Sequence, residues 1–276
     1  MPELPEVETL CRQLQVKIAG KKIQRTVAYD EKLVGLEKIS GCTIEKVRRS
    51  GKTIVLILHD GRAIAIHLRM TGRLLWQQGK KREPHTRWRM TLANGNVDLI
   101  DPRRFATIKV GPPGPEEDGK DLLTGFDEKT FIKTQAARNV SVKVLLMDPK
   151  AIAGIGNIYA CEILHRAGIA PLRQATTLDD KEWRKIFRLA RSILKTGIEK
   201  RGTSISDWRD LYGSQGENQN ELKVYGQEGK PCHTCGGTIV RIKQGGRSTF
   251  FCPQCQKIEK CKAQGKARSA ISRRRR

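Results

Sequence analysis

The sequence predicts an α+β protein of several domains, strand-rich at first, helical in the middle and closed by a small metal-held hairpin. Three observations predict it. Short runs with period-two alternation recur up to about residue 112, patterning at helical spacing takes over beyond about residue 131, and two CxxC pairs sit sixteen residues apart near the C-terminal end. A length of 276 residues gives room for two or three compact domains, each able to bury a core.

Val7, Leu10, Cys11, Leu14 and Ile18 fall on one face at helical spacing, with Gly20 as a stop, so a first helix is expected from about residue 5 to 19. Alternation follows in "TIEKVRR", "TIVLIL", "AIAIHLR", "RLLW", "WRMTL" and "VDLI". Asp60-Gly61 and Asn94-Gly95 are hairpin dipeptides between such runs. Several short strands at close spacing predict a β-sandwich or barrel over residues 1–112. "GPPGPEEDGK" carries prolines, glycines and charge without period, and residues 113–130 read as a linker. Helical patterning then marks 131–221: "SVKVLLMD", "NIYACEILHRAG", and a long helix in which Trp183, Ile186, Phe187, Ala190, Ile193 and Leu194 share a face. A polar stretch, "LYGSQGENQNE", leads into "LKVYG" and the cysteine-bearing segment 222–256. Residues 257–276 have no apolar period and read as a disordered basic tail.

Composition narrows the function. The net charge is +24, and the last 20 residues, with nine basic side chains and one acid, account for only +8 of it. The body of the chain is therefore strongly basic by itself, which favours a polyanionic partner, most often nucleic acid. The longest apolar runs span about six residues against the ~20 of a membrane helix. With no signal-peptide pattern ahead of Pro2, a cytoplasmic protein that meets no membrane is expected.

Of eight cysteines, Cys11, Cys42, Cys161 and Cys261 are scattered, and those within predicted elements read as small buried apolar residues. Cys232, Cys235, Cys252 and Cys255 form "CHTC" and "CPQC". Two CxxC turns joined by a hairpin, here "TIVRIKQGGRSTFF", can close a tetrahedron of thiolates around one zinc ion, although redox dithiols or disulfides share the same spacing. A site of four protein thiolates has no open position, so its zinc is structural. Arg247 lies just past the hairpin tip, where it can reach a phosphate.

The N-terminus "MPELPEVETL" raises a chemical possibility. Removal of Met1 would leave Pro2 as a secondary amine. An α-amino group titrates near pH 8, so part of it is an uncharged nucleophile at neutral pH. Such an amine can attack an aldehyde-like carbon to give an iminium, with Glu3 as proton donor or acceptor and Glu6 one turn on. Taken alone, the two prolines read better as merely the opening of a helix.

"PELPEVE", "IHLRMTGR", "DPRRF", "GIGNIYACE" and a C-terminal four-cysteine ribbon occur here in one order. Over about residues 2–256 the chain resembles the bacterial formamidopyrimidine-DNA glycosylases, and Leu4 resembles this branch more than the endonuclease VIII branch. The resemblance implies an N-terminal β-sandwich with its helix, a helix-two-turn-helix module and a zinc-ribbon hairpin. It implies a bifunctional glycosylase and abasic-site lyase that excises 8-oxoguanine and ring-opened purines from damaged double-stranded DNA as a monomer. By the same resemblance Pro2 would form the Schiff base, Glu3 would supply a proton and Glu6 would support the site. Lys52 and Arg247 would hold phosphates and assist β- and δ-elimination. His67, His85, Asn157 and Tyr225 would contact DNA, with Asn157 also capping its helix. Met70, Arg103 and Phe105 would fill the gap left by an extruded nucleotide, Arg103 facing the orphaned base. From the residues alone, Met70 and Phe105 read equally as core.

The chain departs from the family at Asn139, where a lysine is usual, and at Ala106, where glycine is usual. The family's "GPEPL" is replaced by "LTGFDEKTF", and the basic tail is an addition. An endonuclease VIII-type enzyme for oxidised pyrimidines and a non-catalytic zinc-ribbon DNA-binding protein are the competing readings.

Overall fold

The computed structural model describes residues 1–114, 120–205 and 207–257. Helix α1 (Leu4–Ile18) opens the N-terminal domain and packs on strands β2 (Ile44–Ser50) and β3 (Thr53–Leu58). Val7, Leu10, Leu14 and Ile18 are fully buried there; each large apolar side chain withdrawn from water contributes about 1.5–3 kcal/mol. The helix starts one residue earlier than its apolar period suggests, because Glu3 and Glu6 close a capping box and Pro5 occupies the first turn. The two prolines therefore do open a helix, whatever chemistry they also serve.

Two four-stranded antiparallel sheets face each other as a sandwich. One runs β2–β3–β4–β8, with β4 Ala63–His67 and β8 Thr107–Gly111. The other runs β1–β6–β7–β5, with β1 Ile23–Ala28, β5 Arg73–Gln77, β6 Thr86–Leu92 and β7 Gly95–Ile100. Asp60-Gly61 and Asn94-Gly95 turn the β3–β4 and β6–β7 hairpins as expected. Strands β1 and β8 were not evident in the sequence; both are edge strands, exposed enough to blur the alternation.

The helical module comprises α2 (Glu128–Thr134), α3 (Val142–Leu146), α4 (Asn157–Ala167) and α5 (Asp180–Glu199). Phe131 packs edge to face on Trp183 and Phe187, which stack on each other in its core, and an Asp179–Glu182 capping box starts α5. The linker expected over 113–130 is shorter than that. Asp121 is buried in an ion pair with Arg49 on β2, Leu122 is buried in the helical core, and α2 begins at Glu128. The polar composition of this stretch conceals an anchored end.

The C-terminal hairpin pairs β9 (Val240–Gln244) with β10 (Arg247–Phe251), turning at Gly245 and Gly246, both at positive φ, and β10 packs on α4. The expected basic tail lies outside the described residues beyond Lys257.

Candidate active site

The N-termini of α1 and α4 meet. Leu4 N–H donates to Gly154 O at 3.0 Å, bringing the Glu3 carboxylate onto the start of α4. Glu3 Oε2 accepts the N–H of Gly156 at 2.6 Å, and Oε1 accepts that of Ile158 at 2.9 Å. A carboxylate here gains from both the free N–H groups and the helix dipole. The small residues of "GIGN" are explained by this approach, since a Cβ at Gly156 would lie 2.3 Å from the Glu3 carboxyl carbon. One expectation is corrected: the cap residue is Gly156 rather than Asn157, and Glu3 takes the N–H groups at this helix start.

Glu6 lies deeper and is fully enclosed. It accepts the N–H of Glu3 at 2.7 Å, the N–H of Thr203 at 2.7 Å and the Tyr159 hydroxyl at 2.9 Å. Burial, then the neighbouring Glu3, pushes its carboxyl up to about 7, against the pull of those donors. Asn218 donates to Thr203 Oγ1 at 2.7 Å, extending the network to the segment that follows residue 213.

Opposite these carboxylates stands a cationic wall. A pocket of about 320 Å³ is lined by Met1, Lys52, His67, Arg69, Gly156 and Arg247, among others. Lys52 donates to Ile155 O at 2.8 Å, and burial lowers its ammonium, with Glu3 opposing. Burial and the charges of Arg69 and Lys52 bring His67 down to about 4, so its ring is neutral at neutral pH. His67 Nδ1 accepts the Arg69 N–H at 3.1 Å, which leaves Nε2 to carry the proton. Pro2 is half-buried at a smaller pocket bounded by Glu6, Met70 and Trp208, and the preceding Met1 lines both pockets. Sequence positions 2, 3, 6, 52, 67 and 247 thus converge.

The remaining expected residues fall in three places. Asn157 and Tyr225 lie where the hairpin joins α4. Asn157 donates to Ser248 O at 2.9 Å and accepts Lys143 Nζ at 2.6 Å, so its amide stitches the hairpin to the helix. Glu162 accepts the N–H groups of Lys223, Val224 and Tyr225, setting the Tyr225 ring edge-on to Phe250. Met70, Arg103 and Phe105 stand apart on two sandwich loops. Met70 is 54% exposed and Phe105 45%, which removes the core reading, and the Arg103 guanidinium stacks 4.7 Å over the Phe105 ring. His85, exposed at a positive φ of 62°, borders a separate cleft with Arg87 and Arg104.

The Sγ atoms of Cys232, Cys235, Cys252 and Cys255 all lie within 4.8 Å of one another. A tetrahedral zinc with Zn–S near 2.3 Å requires S···S edges of about 3.8 Å, so the cluster fits one structural ion. An ion here would tie the Phe251 end of β10, the strand that starts at Arg247, to the "CHTC" turn.

Comparison with known proteins agrees along the chain. Family models match for the formamidopyrimidine-DNA glycosylase N-terminal domain over residues 1–108, its H2TH domain over 118–208, and a zinc finger found in FPG and IleRS over 229–258. The formamidopyrimidine-DNA glycosylase of Pelotomaculum thermopropionicum is 41% identical, covering 94% of this chain and all of that protein. The chain belongs to the formamidopyrimidine-DNA glycosylase family. Another member, from Desulfitobacterium hafniense, is 38% identical over 93% of this chain and its own full length. Lactococcus lactis Fpg, solved with DNA containing an abasic site, superposes with a TM-score of 0.86 at 34% identity, over 93% of this chain and all of that one. The Thermus thermophilus MutM (FPG) structure gives 0.84 at 34% identity, over 92% and 98%. The protein is thus a DNA-binding glycosylase and abasic-site lyase of base excision repair.

Within this formamidopyrimidine-DNA glycosylase fold, sequence reading missed Lys143. It is 1% exposed, with Nζ bonded to Asn157 Oδ1 and Thr249 Oγ1 (2.7 Å), and burial lowers its ammonium. Its only sequence signal is a lysine in an otherwise apolar turn, "VKVLL". Among the described residues no helix is long and apolar enough to cross a membrane.

Proposed function

We propose that the protein excises oxidised purines, 8-oxoguanine and formamidopyrimidines, from damaged double-stranded DNA, and nicks the strand through an iminium on Pro2. It acts as a monomer, in the cytoplasm with the nucleoid. Loss of Met1 frees the Pro2 nitrogen, which attacks C1′ as the C1′–base bond breaks. Glu3 delivers the proton that the opening sugar or the departing base takes up, and Glu6 supports it from behind. Elimination then expels the phosphates on either side of the sugar, with Lys52 and Arg247 holding them and offsetting their charge. His67, His85, Asn157 and Tyr225 line the path of the strand. Met70, Arg103 and Phe105 occupy the space of the extruded nucleotide, which recovers part of the few kcal/mol lost in unstacking.

One observation carries this reading: Pro2 is joined directly to a carboxylate seated on the helix N-terminus at Gly156, and Gly156 lines one pocket with Lys52 and Arg247. Phosphate-binding cations and a proton donor thus flank a potential amine. The substrates named for Lactococcus lactis Fpg in its solved complexes, Fapy-dG and abasic-site DNA, support the same class. Borohydride treatment during turnover on an 8-oxoguanine duplex is expected to trap an adduct on the peptide beginning at Pro2. An adduct mapped to a lysine, or preferential trapping on a thymine-glycol duplex, overturns the assignment.

A further inference from the structure

Beneath the exposed wedge side chains lies one buried carboxylate that holds both of their loops. Met70 stands on the turn after β4, while Arg103 and Phe105 stand on the turn between β7 and β8. Asp101 is 1% exposed and reaches into both turns. Its Oδ1 accepts the Thr71 hydroxyl at 2.5 Å and the Arg103 N–H at 3.3 Å. Its Oδ2 accepts the Ala106 N–H at 2.7 Å and Arg87 Nη1 at 3.2 Å. Arg87 also donates to Ala106 O at 2.7 Å and pairs with Asp30, which in turn takes the Arg104 guanidinium.

Two further features show that the loops constrain each other. Arg69 and Arg104, one in each loop, sit at φ 56° and 57°, a left-handed conformation that non-glycine residues hold only where their surroundings over-determine it. Gly72 lies so close that a Cβ there would come 2.9 Å from the Ala106 methyl and 2.5 Å from Leu68 O. The departure from glycine at position 106 therefore fills the seam between the loops.

We propose that Asp101 is a positioning residue that couples these two loops, so that Met70, Arg103 and Phe105 enter the duplex as one rigid unit. A wedge restores lost stacking only if its backbone does not yield when the bases press on it. Exposed side chains cannot supply that stiffness themselves; the buried hydrogen bonds from Asp101 do. This rests on the reading of the three side chains as the duplex probe.

The test uses two duplexes under single-turnover conditions, one with 8-oxoguanine paired to cytosine and one with a preformed abasic site, which leaves no base to extrude. Thr71→Val removes the link from Asp101 to the Met70 loop while preserving shape, and Asp101→Asn weakens the whole hub. Asp98→Asn is the control, because Asp98 is equally buried and paired with Arg89, which anchors the β5–β6 loop at Lys80 and Lys81 and touches neither wedge loop. Thr71→Val and Asp101→Asn are expected to slow excision of the paired lesion about tenfold relative to cleavage at the abasic site. Fluorescence of 2-aminopurine beside the lesion should report slower insertion in both. Asp98→Asn should lower the melting temperature yet keep the wild-type ratio. Met70→Ala separates the two layers of argument. If it is defective on the paired lesion while Thr71→Val is normal, the coupling idea fails and the wedge survives. If Met70→Ala itself keeps the wild-type ratio, the wedge reading fails and the coupling falls with it.

Discussion

The corner around Pro2 and the wedge loops solve opposite problems with the same material. At the corner, Glu3 and Glu6 are buried, and beyond their own capping box the donors that fix them come from distant parts of the chain: Gly156, Ile158, Tyr159 and Thr203. On the loops, Met70, Arg103 and Phe105 are exposed, and burial is reserved for the Asp101 support beneath them. Groups that move protons gain from a dry, preorganised seat, because their effect depends on position and on a tuned charge. Groups that replace a base must remain outside until DNA arrives, so only their foundations can be packed. A substitution at the corner should therefore damage chemistry more than binding, and one on the loops should damage recognition more than chemistry.

The largest expected effect lies at the corner. Glu3→Gln keeps an acceptor for the α4 N–H groups but cannot transfer a proton. Base excision should fall on the order of 10²–10⁴-fold, the range for a lost general acid, while affinity for lesion duplex stays within about threefold. Single-turnover excision and a binding titration check both halves. Near wild-type excision at neutral pH would end the acid role and erase the contrast.

The next effect belongs to the scaffold that joins the two halves of the phosphate clamp. Lys52 is carried by the sandwich and Arg247 by the zinc hairpin, which is bolted to α3 and α4 through Lys143, Asn157, Ser248 and Thr249. Cys252→Ser opens the thiolate tetrahedron just past the end of β10 and loosens the hairpin that carries Arg247. Loss of a charge-assisted phosphate contact costs roughly 1.5–3 kcal/mol, so affinity should weaken on the order of 10- to 100-fold, and zinc content should fall in parallel. A zinc-free variant with unchanged DNA affinity would show that the hairpin is not needed to place Arg247.

On the loops, Arg103→Ala should act on selectivity. A well-placed arginine contact to a base discriminates by about 1–3 kcal/mol, so the preference for cytosine opposite the lesion should shrink by roughly that amount. Cleavage of an abasic site opposite each of the four bases gives the measurement. Equal losses opposite all four would make Arg103 a phosphate contact rather than a reader of the orphaned base.

How far the sequence disclosed this architecture depends on the distance over which each contact acts. The face of α1 is legible from Val7, Leu10, Leu14 and Ile18, because helical spacing is local, and "CHTC" with "CPQC" announce the metal for the same reason. The edge strands β1 and β8 are less visible, since an exposed edge relaxes the alternation that marks a strand. The Glu3–Gly156 and Tyr159–Glu6 contacts join residues more than 150 positions apart and leave no periodic trace; the N-terminal amine chemistry and the motif resemblance pointed to Glu3 and Glu6. Lys143 had no such pointer, and Asp101 lay within "DPRRF" with no role attached to it. An aspartate before a proline reads as a turn residue, and nothing nearby shows that its carboxylate will be buried under two loops. Asn157 was misread as a cap because helix-start preferences do not reveal that Glu3, from another element, already occupies the N–H groups.

The smallest predicted effect tests the corner through stability rather than turnover. Glu6 is raised to about 7 by burial and by Glu3, above the 4.5 usual for a glutamate. Over the interval between those values the folded state holds a proton that the unfolded chain releases. Stability then falls as pH rises, since the slope follows protons bound in the unfolded state minus those bound in the folded state. Between about pH 6 and about pH 8 this group alone should remove about 1 kcal/mol, equivalent to about 2–4 °C in a protein of this size. Glu6→Gln mimics the protonated form and should abolish that increment, so the difference in melting temperature between variant and wild type should move in the variant's favour as pH increases. Other titrating groups are common to both proteins and cancel in the difference. A difference that stays flat across this range would mean that Glu6 is ionised throughout. The donors from Glu3, Thr203 and Tyr159 would then outweigh its burial.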